Sequence, residues 1–166
     1  DLLLPNYNSV KIYDPIDKVE HLSFKKKLAN EIIKAGIIGR VSSSKGLTNY
    51  EKLFDYYFNH DTSKRFHFIF FGDVMKNEAK ASHFFKKHDG NNFPDIEFRG
   101  FVKDQDSIYS SIDVVLHLNE KEPLGRIGLE SWARDIPFIC FNSGGCGEIN
   151  QVLCMEKFSV EFTDLW

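Results

Sequence analysis

The chain has 166 residues, of which 42% are hydrophobic and 27% are charged, and its formal net charge is -3. This length suits one compact domain with a core of its own and excludes two full domains. The net charge gives no reason to expect nucleic acid or an anionic lipid surface as a partner. No apolar run in the sequence is long enough to span a membrane.

The cysteines bear on location and on metal binding. Cys140, Cys146 and Cys154 are odd in number and lack a C-x-x-C spacing, and the histidines lack an H-x-x-x-H spacing. This pattern argues against a disulfide framework and against a metal site. It favours a reducing, cytoplasmic location, with attachment to the membrane periphery as an alternative for a full-length protein.

Apolar segments alternate with amphipathic ones along most of the chain. The pattern predicts a strand at residues 34–41, a helix through residues 50–58 with Thr48 as its N-cap, a strand at 66–72 and a helix at 76–88. It then predicts a strand at 96–98, a helix at 107–112, a strand at 114–118, a helix at 126–134 and a strand at 137–141. Such alternation predicts an α/β, Rossmann-like fold with a parallel sheet sandwiched by helices.

The two ends of the chain are less regular. Residues 1–33 are predicted to form a linker or edge segment, with a lysine-rich helix at 23–33, before an α/β core at 34–155. Residues 158–166 are predicted to add one more strand. We therefore expect residues 1–166 to form a single ligand-binding domain.

Ligands of open parallel α/β sheets bind beyond the carboxyl ends of the strands, so the loops after strands are the candidate site. The first such loop carries Arg40 and Lys45, each next to a glycine, Gly39 or Gly46, that lets the backbone approach a ligand. Arginine offers a bidentate fork and lysine a compact charge, and the two together suit a diphosphate. An ordinary basic loop is the alternative interpretation.

The loop after the fourth strand carries a pair of carboxylates. Glu122 lies in the loop, and Glu130 lies about one turn into the helix that follows, so both are expected to point into one cleft and to hold sugar or ribose hydroxyls. The amides of Leu124, Gly125 and Arg126 are expected to be free at the start of that helix, which makes an anion site. A solvated charged loop is the alternative.

The loop after the fifth strand, residues 142–148, is rich in glycine. Its glycines permit close backbone packing against a ligand, and a plain turn is an equal alternative. Cys146 in this loop is not expected to be a nucleophile, because no histidine lies near it in sequence to activate it.

Taken in order, these motifs resemble those of the family-four retaining glycosyltransferases, whose fold is termed GT-B. The segments that carry the resemblance are Gly39-Arg40-x4-Lys45-Gly46, Phe70-Phe71-Gly72, Phe98-Arg99-Gly100-Phe101-Val102, Glu122-x7-Glu130, Ile136-Pro137 and Gly144-Gly145-x2-Glu148. They extend over residues 35–149, about two-thirds of the chain. The resemblance implies the C-terminal, nucleotide-sugar-binding half of such an enzyme.

The resemblance also implies roles for individual residues. Arg40, Lys45 and Glu122 would be catalytic: the two cations neutralise the diphosphate of the sugar donor as it leaves, and Glu122 contacts the transferred sugar. The residues that would bind the sugar donor are Gly39, Phe101, Val102, Leu124, Gly125 and Glu130. In this set Glu130 would hold the ribose hydroxyls, and Phe101 and Val102 would lie beside the base. The implied substrate is a UDP- or GDP-sugar, with no metal or other cofactor.

The sequence departs from the family pattern at three places. The usual Glu-Ala-Met-Ala is replaced by Glu130-Ser131-Trp132-Ala133. Asp135 stands where glycine is common, and an aspartate tolerates the left-handed backbone expected there at some cost. Asn119 stands where serine is frequent, which is expected to alter the preference for the sugar donor.

GT-B enzymes bind the acceptor in an N-terminal domain, for which this chain has no room. We therefore expect the isolated chain to bind a nucleotide sugar weakly and to transfer nothing. The resemblance implies a glycan or lipid-linked acceptor and a role in polysaccharide biosynthesis. Two alternatives are a GT-B-type nucleotide-sugar epimerase and a noncatalytic α/β nucleotide-binding module, in which Arg40, Lys45 and Glu130 form only surface ion pairs.

Overall fold

Parallel strands form the centre of the computed structural model, which describes residues 15, 28, 30–61, 63–90 and 92–161. The strands are β1 (Ile33–Ile38), β2 (Phe66–Phe71), β3 (Ile96–Gly100), β4 (Val114–His117), β5 (Phe138–Phe141) and β6 (Ser159–Val160). They make one six-stranded sheet in the order β3-β2-β1-β4-β5-β6, and every neighbouring pair is parallel. The order reverses between β1 and β4, which is where open α/β sheets bind their ligands.

Five α-helices and two short 3-10 turns connect the strands within the described residues. The helices are α1 (Leu47–His60), α2 (Ala79–His88), α3 (Gln105–Ser110), α4 (Arg126–Trp132) and α5 (Gly144–Val152). The 3-10 turns are Ser43–Lys45, before α1, and Glu156–Phe158, before β6. In the same part of the chain, no helix combines the length and the apolar character needed to cross a membrane.

The two faces of the sheet each have an apolar core. On one face, Phe54 of α1 and Phe84 of α2 pack with alternate residues of β2 such as Phe70, and all three rings are at most 1% exposed. On the other face, Tyr109 of α3 and Cys146 of α5 pack against Ile69 and the rest of a second cluster. Because helices cover both faces, the central strands are mostly apolar, and the predicted fold class is confirmed.

The start of α1 differs from the prediction. Helix α1 begins at Leu47, and Gly46 is its N-cap, so the prediction of Thr48 as the N-cap was wrong. Gly46 has a left-handed backbone, with φ 75°, and a β-carbon there would lie 2.0 Å from the carbonyl oxygen of Leu118. Close packing against the end of β4 therefore selects the first residue of the helix, which a local capping preference does not reveal.

Other element boundaries also differ from the predictions. Strand β1 starts at Ile33 and ends at Ile38, and Val41 instead forms an isolated bridge with Val74. Helix α2 starts at Ala79 rather than at 76, because the preceding residues form a turn in which the Glu78 amide donates to the Met75 carbonyl. Ile33 lies in a strand rather than in the predicted helix at 23–33, most of which lies outside the described residues.

The end of the described chain adds to the sheet. Residues 159–160 form β6, which pairs with β5 and so supplies part of the strand predicted at 158–166, and residues 162–166 lie outside the described residues. Asp135, between α4 and β5, has φ 58°. The left-handed backbone predicted at this aspartate is therefore confirmed.

Candidate functional site

A cleft opens where β1 and β2 end. Gly39 and Gly72 follow these strands with φ 131° and 150°, conformations that side chains rarely adopt. A β-carbon on Gly72 would lie 2.1 Å from the carbonyl oxygen of Gly39, so the two strand ends touch through their backbones. A β-carbon on Gly39 would meet no atom within 4 Å, which leaves its surface open to a ligand.

The cleft beyond these glycines has a volume of about 450 Å³. Five of the predicted site residues line it, namely Gly39, Arg40, Phe101, Val102 and Glu130. The side chain of Phe101 is 71% exposed, which places an aromatic ring in solvent beside the cleft. These residues come from two separate loops and one helix, and the parallel sheet brings them together at the carboxyl ends of its strands.

Lys45 and Glu122 form an ion pair beside this cleft. Lys45 Nζ, from the 3-10 turn before α1, donates to Glu122 Oε2 at 2.8 Å. Asn119 Nδ2 donates to the same oxygen at 3.0 Å, whereas Oε1 accepts no hydrogen bond from the described residues. Lys45 also lines a narrow cavity with Gly39 and Arg40, which joins the ion pair to the cleft. One oxygen of Glu122 is thus held while the other is available to a ligand.

His117, the last residue of β4, lies next to the same carboxylate. Its side chain is 5% exposed, and its Nε2 lies 3.4 Å from Glu122 Oε2 without the alignment of a hydrogen bond. The pKa of Glu122 is lowered from 4.5 to about 2, and the largest cause is the neighbouring imidazole of His117. Lys45 and Asn119 also contribute to the lowering, whereas burial of the carboxyl opposes it. Glu122 is therefore a carboxylate at any physiological pH.

Arg40 differs from Lys45 in that its guanidinium has no hydrogen-bonded partner among the described residues. Its side chain is exposed and makes no ion pair with the described residues. It lies close enough to Glu78 to lower the pKa of that carboxyl, although Ser43, which donates to Glu78 through its amide and its hydroxyl, has the larger effect. A charge at the edge of a cleft with its fork unoccupied is available for an anionic ligand.

Glu130 lies on α4 and is 9% exposed. Its Oε2 accepts a hydrogen bond from the Tyr109 hydroxyl at 3.1 Å, and its Oε1 accepts one from Arg126 Nε at 3.0 Å. Burial is the main cause that raises the pKa of Tyr109, and the nearby carboxylate raises it further. Tyr109 therefore remains a protonated hydrogen-bond donor to Glu130.

The glycine-rich segment after β5 does not form a plain turn. Residues 144–152 form α5, so the alternative of a plain turn was wrong. The Gly145 amide donates to the Glu122 carbonyl at 2.7 Å, and a β-carbon on Gly145 would lie 2.6 Å from the Pro123 carbonyl oxygen. A β-carbon on Gly125 would in turn lie 2.8 Å from the Gly145 backbone. The glycines therefore pack against the loop that carries Glu122, a contact that the sequence-based expectation assigned to a ligand.

The sequence of the chain identifies its family. The sequence model of the family described as glycosyl transferases group 1 matches residues 18–153. The chain belongs to this glycosyltransferase family. No curated protein matches the sequence of this glycosyltransferase chain.

Solved glycosyltransferase structures share the fold of the chain. The lipopolysaccharide outer core galactosyltransferase WaaB has a TM-score of 0.60 at 14% identity, over 80% of this chain and 36% of WaaB. HepE of Anabaena, solved with UDP and glucose, has a TM-score of 0.56 at 22% identity, over 71% of this chain and 32% of HepE. The C-terminal domain of LpcC from Francisella tularensis has a TM-score of 0.52 at 17% identity, over 80% of this chain and 83% of that domain. This glycosyltransferase chain thus spans about a third of WaaB and of HepE.

Four predicted site residues of the glycosyltransferase chain do not line the cleft, namely Lys45 and Glu122, which form the ion pair, and Leu124 and Gly125. Leu124 is 49% exposed, and Gly125 is the N-cap of α4. The amides of Leu124, Gly125 and Arg126 donate no hydrogen bond within the described part of the chain, as expected for a helix start. Their predicted contact with sugar or phosphate stays a prediction.

Sequence reasoning missed His117 and Tyr109. His117 is the last residue of β4, and a histidine within the apolar run 114–118 was a signal that the side chain serves a polar neighbour. Tyr109 gave no such signal, because a tyrosine on a short amphipathic helix is typical of an apolar core. Only the three-dimensional arrangement joins these residues to the two carboxylates.

Proposed function

We propose that the chain is the sugar-donor-binding domain of a retaining glycosyltransferase of the GT-B type. In this proposal a nucleoside diphosphate sugar occupies the cleft, and its sugar passes to a glycan or lipid-linked acceptor presented by another domain. The observation that carries the proposal is that Arg40 and Glu130 line the cleft at Gly39, while Lys45, which pairs with Glu122, lines the narrow cavity next to it.

The diphosphate would lie over Gly39, where the backbone leaves room for it. Arg40 would supply its unoccupied guanidinium fork. Lys45 has three N–H donors, of which one goes to Glu122, so two remain for phosphate oxygens. As the sugar departs, negative charge grows on the diphosphate, and these two fixed cations would lower the energy of that state without a metal ion.

The sugar and the nucleoside would occupy opposite ends of the site. The free Oε1 of Glu122 would accept a hydrogen bond from a hydroxyl of the transferred sugar. Glu130 would accept hydrogen bonds from the ribose, and the exposed ring of Phe101 would lie beside the base, near Val102. HepE, a structural relative, was solved with UDP and with glucose, which supports a uridine nucleotide as the first ligand to test.

Isothermal titration calorimetry of the chain with UDP, GDP, UDP-glucose and GDP-mannose tests the proposal. We expect heat with at least one diphosphate, and an affinity about tenfold weaker or worse in Arg40→Ala, because a charge-assisted hydrogen bond contributes about 1.5–3 kcal/mol. Lys86→Ala is the matched control, since Lys86 is an exposed cation on α2 away from the cleft. Absence of heat with every ligand at millimolar concentration would overturn the proposal.

Sugar transfer by a full-length protein separates a transferase from a noncatalytic nucleotide-binding module, and Arg40 then tests how the transfer is catalysed. In a full-length protein that shows transfer, we expect Arg40→Ala to lose most of the turnover, because the guanidinium would stabilise the leaving diphosphate. A module that only binds would show no transfer to lose. We also propose that the chain alone binds the nucleotide sugar without transferring it, which an assay with radiolabelled UDP-glucose and free sugars checks directly.

A further inference from the structure

Tyr109 occupies an unusual position for a core tyrosine, because it belongs both to an apolar cluster and to the wall of the cleft. The residue is 1% exposed, yet its hydroxyl reaches Glu130 Oε2 at 3.1 Å. Helix α3, which carries it, has no other hydrogen bond to the Glu130 carboxylate among the described residues. The phenol is therefore the link between this helix and that carboxylate.

The ring of Tyr109 is itself held by Arg134. The Arg134 guanidinium lies 4.6 Å from the centre of the ring, and the residue is 4% exposed. Its Nε and Nη2 donate to Asp106 Oδ1 at 3.1 and 2.8 Å, and its Nη1 donates to the Glu130 carbonyl at 3.1 Å. This arginine thus joins α3 to α4 and packs on the tyrosine ring, so packing fixes the ring and with it the position of the hydroxyl oxygen.

The two oxygens of Glu130 have different surroundings. Oε2 faces the buried hydroxyl of Tyr109, whereas Oε1 faces Arg126, whose side chain is 54% exposed. An exposed long side chain moves aside at little cost, while a buried hydrogen bond does not. The arrangement therefore keeps Oε2 in place and leaves Oε1 as the oxygen that a ligand in the cleft would meet.

We propose that Tyr109 is a positioning residue that orients Glu130 toward the ribose of the bound nucleotide. The inference rests on the function proposed above, in which Glu130 binds the ribose hydroxyls. Tyr109 does not contact the sugar donor in this proposal. It acts through Glu130, by occupying Oε2 so that Oε1 accepts from the ribose in a single geometry.

Nucleotides that lack one ribose hydroxyl distinguish positioning from general support of the fold. Affinities of the chain for UDP, 2'-deoxy-UDP and 3'-deoxy-UDP are measured by calorimetry in the wild type and in Tyr109→Phe. We expect the affinity of the variant for UDP to be about tenfold weaker than that of the wild type. For at least one deoxy analogue, the affinities of the variant and of the wild type should agree within about twofold, because that analogue has already lost the hydrogen bond to Glu130. An equal loss for all three nucleotides would overturn the proposal.

Tyr57→Phe is the matched control. Tyr57 is also a buried tyrosine, but its hydroxyl donates to the Phe66 carbonyl on the opposite face of the sheet. We expect this substitution to leave the three affinities in their wild-type ratio. A wild-type chain that binds no nucleotide at all would defeat the proposed function itself, which is a different result from an unselective effect of Tyr109→Phe.

A double substitution gives a second test that tolerates some loss of stability. If Tyr109 acts through Glu130, then Tyr109→Phe in a Glu130→Ala background should change the UDP affinity by less than about twofold, since the acceptor to be oriented is gone. Additive losses in the double variant would show that the tyrosine affects binding by another route and would refute the positioning role. Circular dichroism of each variant establishes the folded fraction used in the fit.

Discussion

Replacement of Glu122 by glutamine should change how the stability of the domain depends on pH. In the folded chain, His117, Lys45 and Asn119 surround one oxygen of Glu122 and lower its pKa from 4.5 to about 2. Because the folded pKa is below the unfolded value, Glu122 stabilises the fold above pH 4.5, and this stabilisation is lost as the pH falls toward 2. Glutamine has no such titration.

The magnitude follows from the size of the shift. A change of one pKa unit corresponds to about 1.4 kcal/mol, so the shift of Glu122 amounts to about 3 kcal/mol when it is fully developed. Between about pH 3 and about pH 6.5, the linkage relation gives about 2 kcal/mol of that total. The free energy of unfolding of the wild type minus that of Glu122→Gln should therefore grow by about 2 kcal/mol over this range.

Urea titrations followed by tryptophan fluorescence at several pH values measure this difference. Glu156→Gln is the matched control, since Glu156 is exposed and lies in the 3-10 turn before β6, the strand at the opposite edge of the sheet from β3. It reports the effect of replacing an exposed carboxylate by an amide, against which the result for Glu122→Gln is compared. A flat profile for Glu122→Gln would refute the reasoning, because it would mean that the surrounding cation and imidazole do not hold the carboxylate.

Three further substitutions test the packing and the charges. Phe54→Ala should lower the free energy of unfolding by about 3–5 kcal/mol, as measured in urea, because the ring is 0% exposed, and a loss below about 1 kcal/mol would contradict the assigned core. Gly46→Ala should destabilise the fold by about 2 kcal/mol or more, since its β-carbon would lie 2.0 Å from Leu118 O, and wild-type stability would contradict that contact. His117→Leu should raise the pKa of Glu122, so the pH dependence described above should shrink, and an unchanged profile would exclude a role for the imidazole.

The sheet and most helices were predictable because their signals are local. Tyr50, Phe54 and Tyr57 recur on one side of α1, and all three are buried. The strand FHFIFF is apolar at nearly every position, as a strand covered on both faces requires. The inferences about α1 and β2 needed only neighbouring residues. The left-handed backbone of Asp135, which has φ 58°, was expected instead because the family commonly has glycine at this position.

The errors arose where distant segments determine the structure. Gly46 replaces the predicted Thr48 as the N-cap because β4 lies against it, which no residue near position 46 reveals. The glycines of residues 144–147 disfavour a helix locally, yet α5 begins there because their small size permits contact with the loop at Glu122. Lys45 and Glu122 form an ion pair although they are 77 positions apart in the sequence. The predicted order of strands places both residues at the carboxyl ends of the sheet, but it does not give the distance between them.

The close backbone contact between the loop at Glu122 and the start of α5 has a consequence for engineering. Side chains larger than hydrogen are excluded at Gly125, Gly144 and Gly145, since a β-carbon at each would lie between 2.6 and 2.8 Å from the backbone of the other segment. Neither segment can accept an insertion or a new sequence independently of the other. In chimeras with related domains, residues 120–125 and 143–147 should therefore both come from the same parent protein.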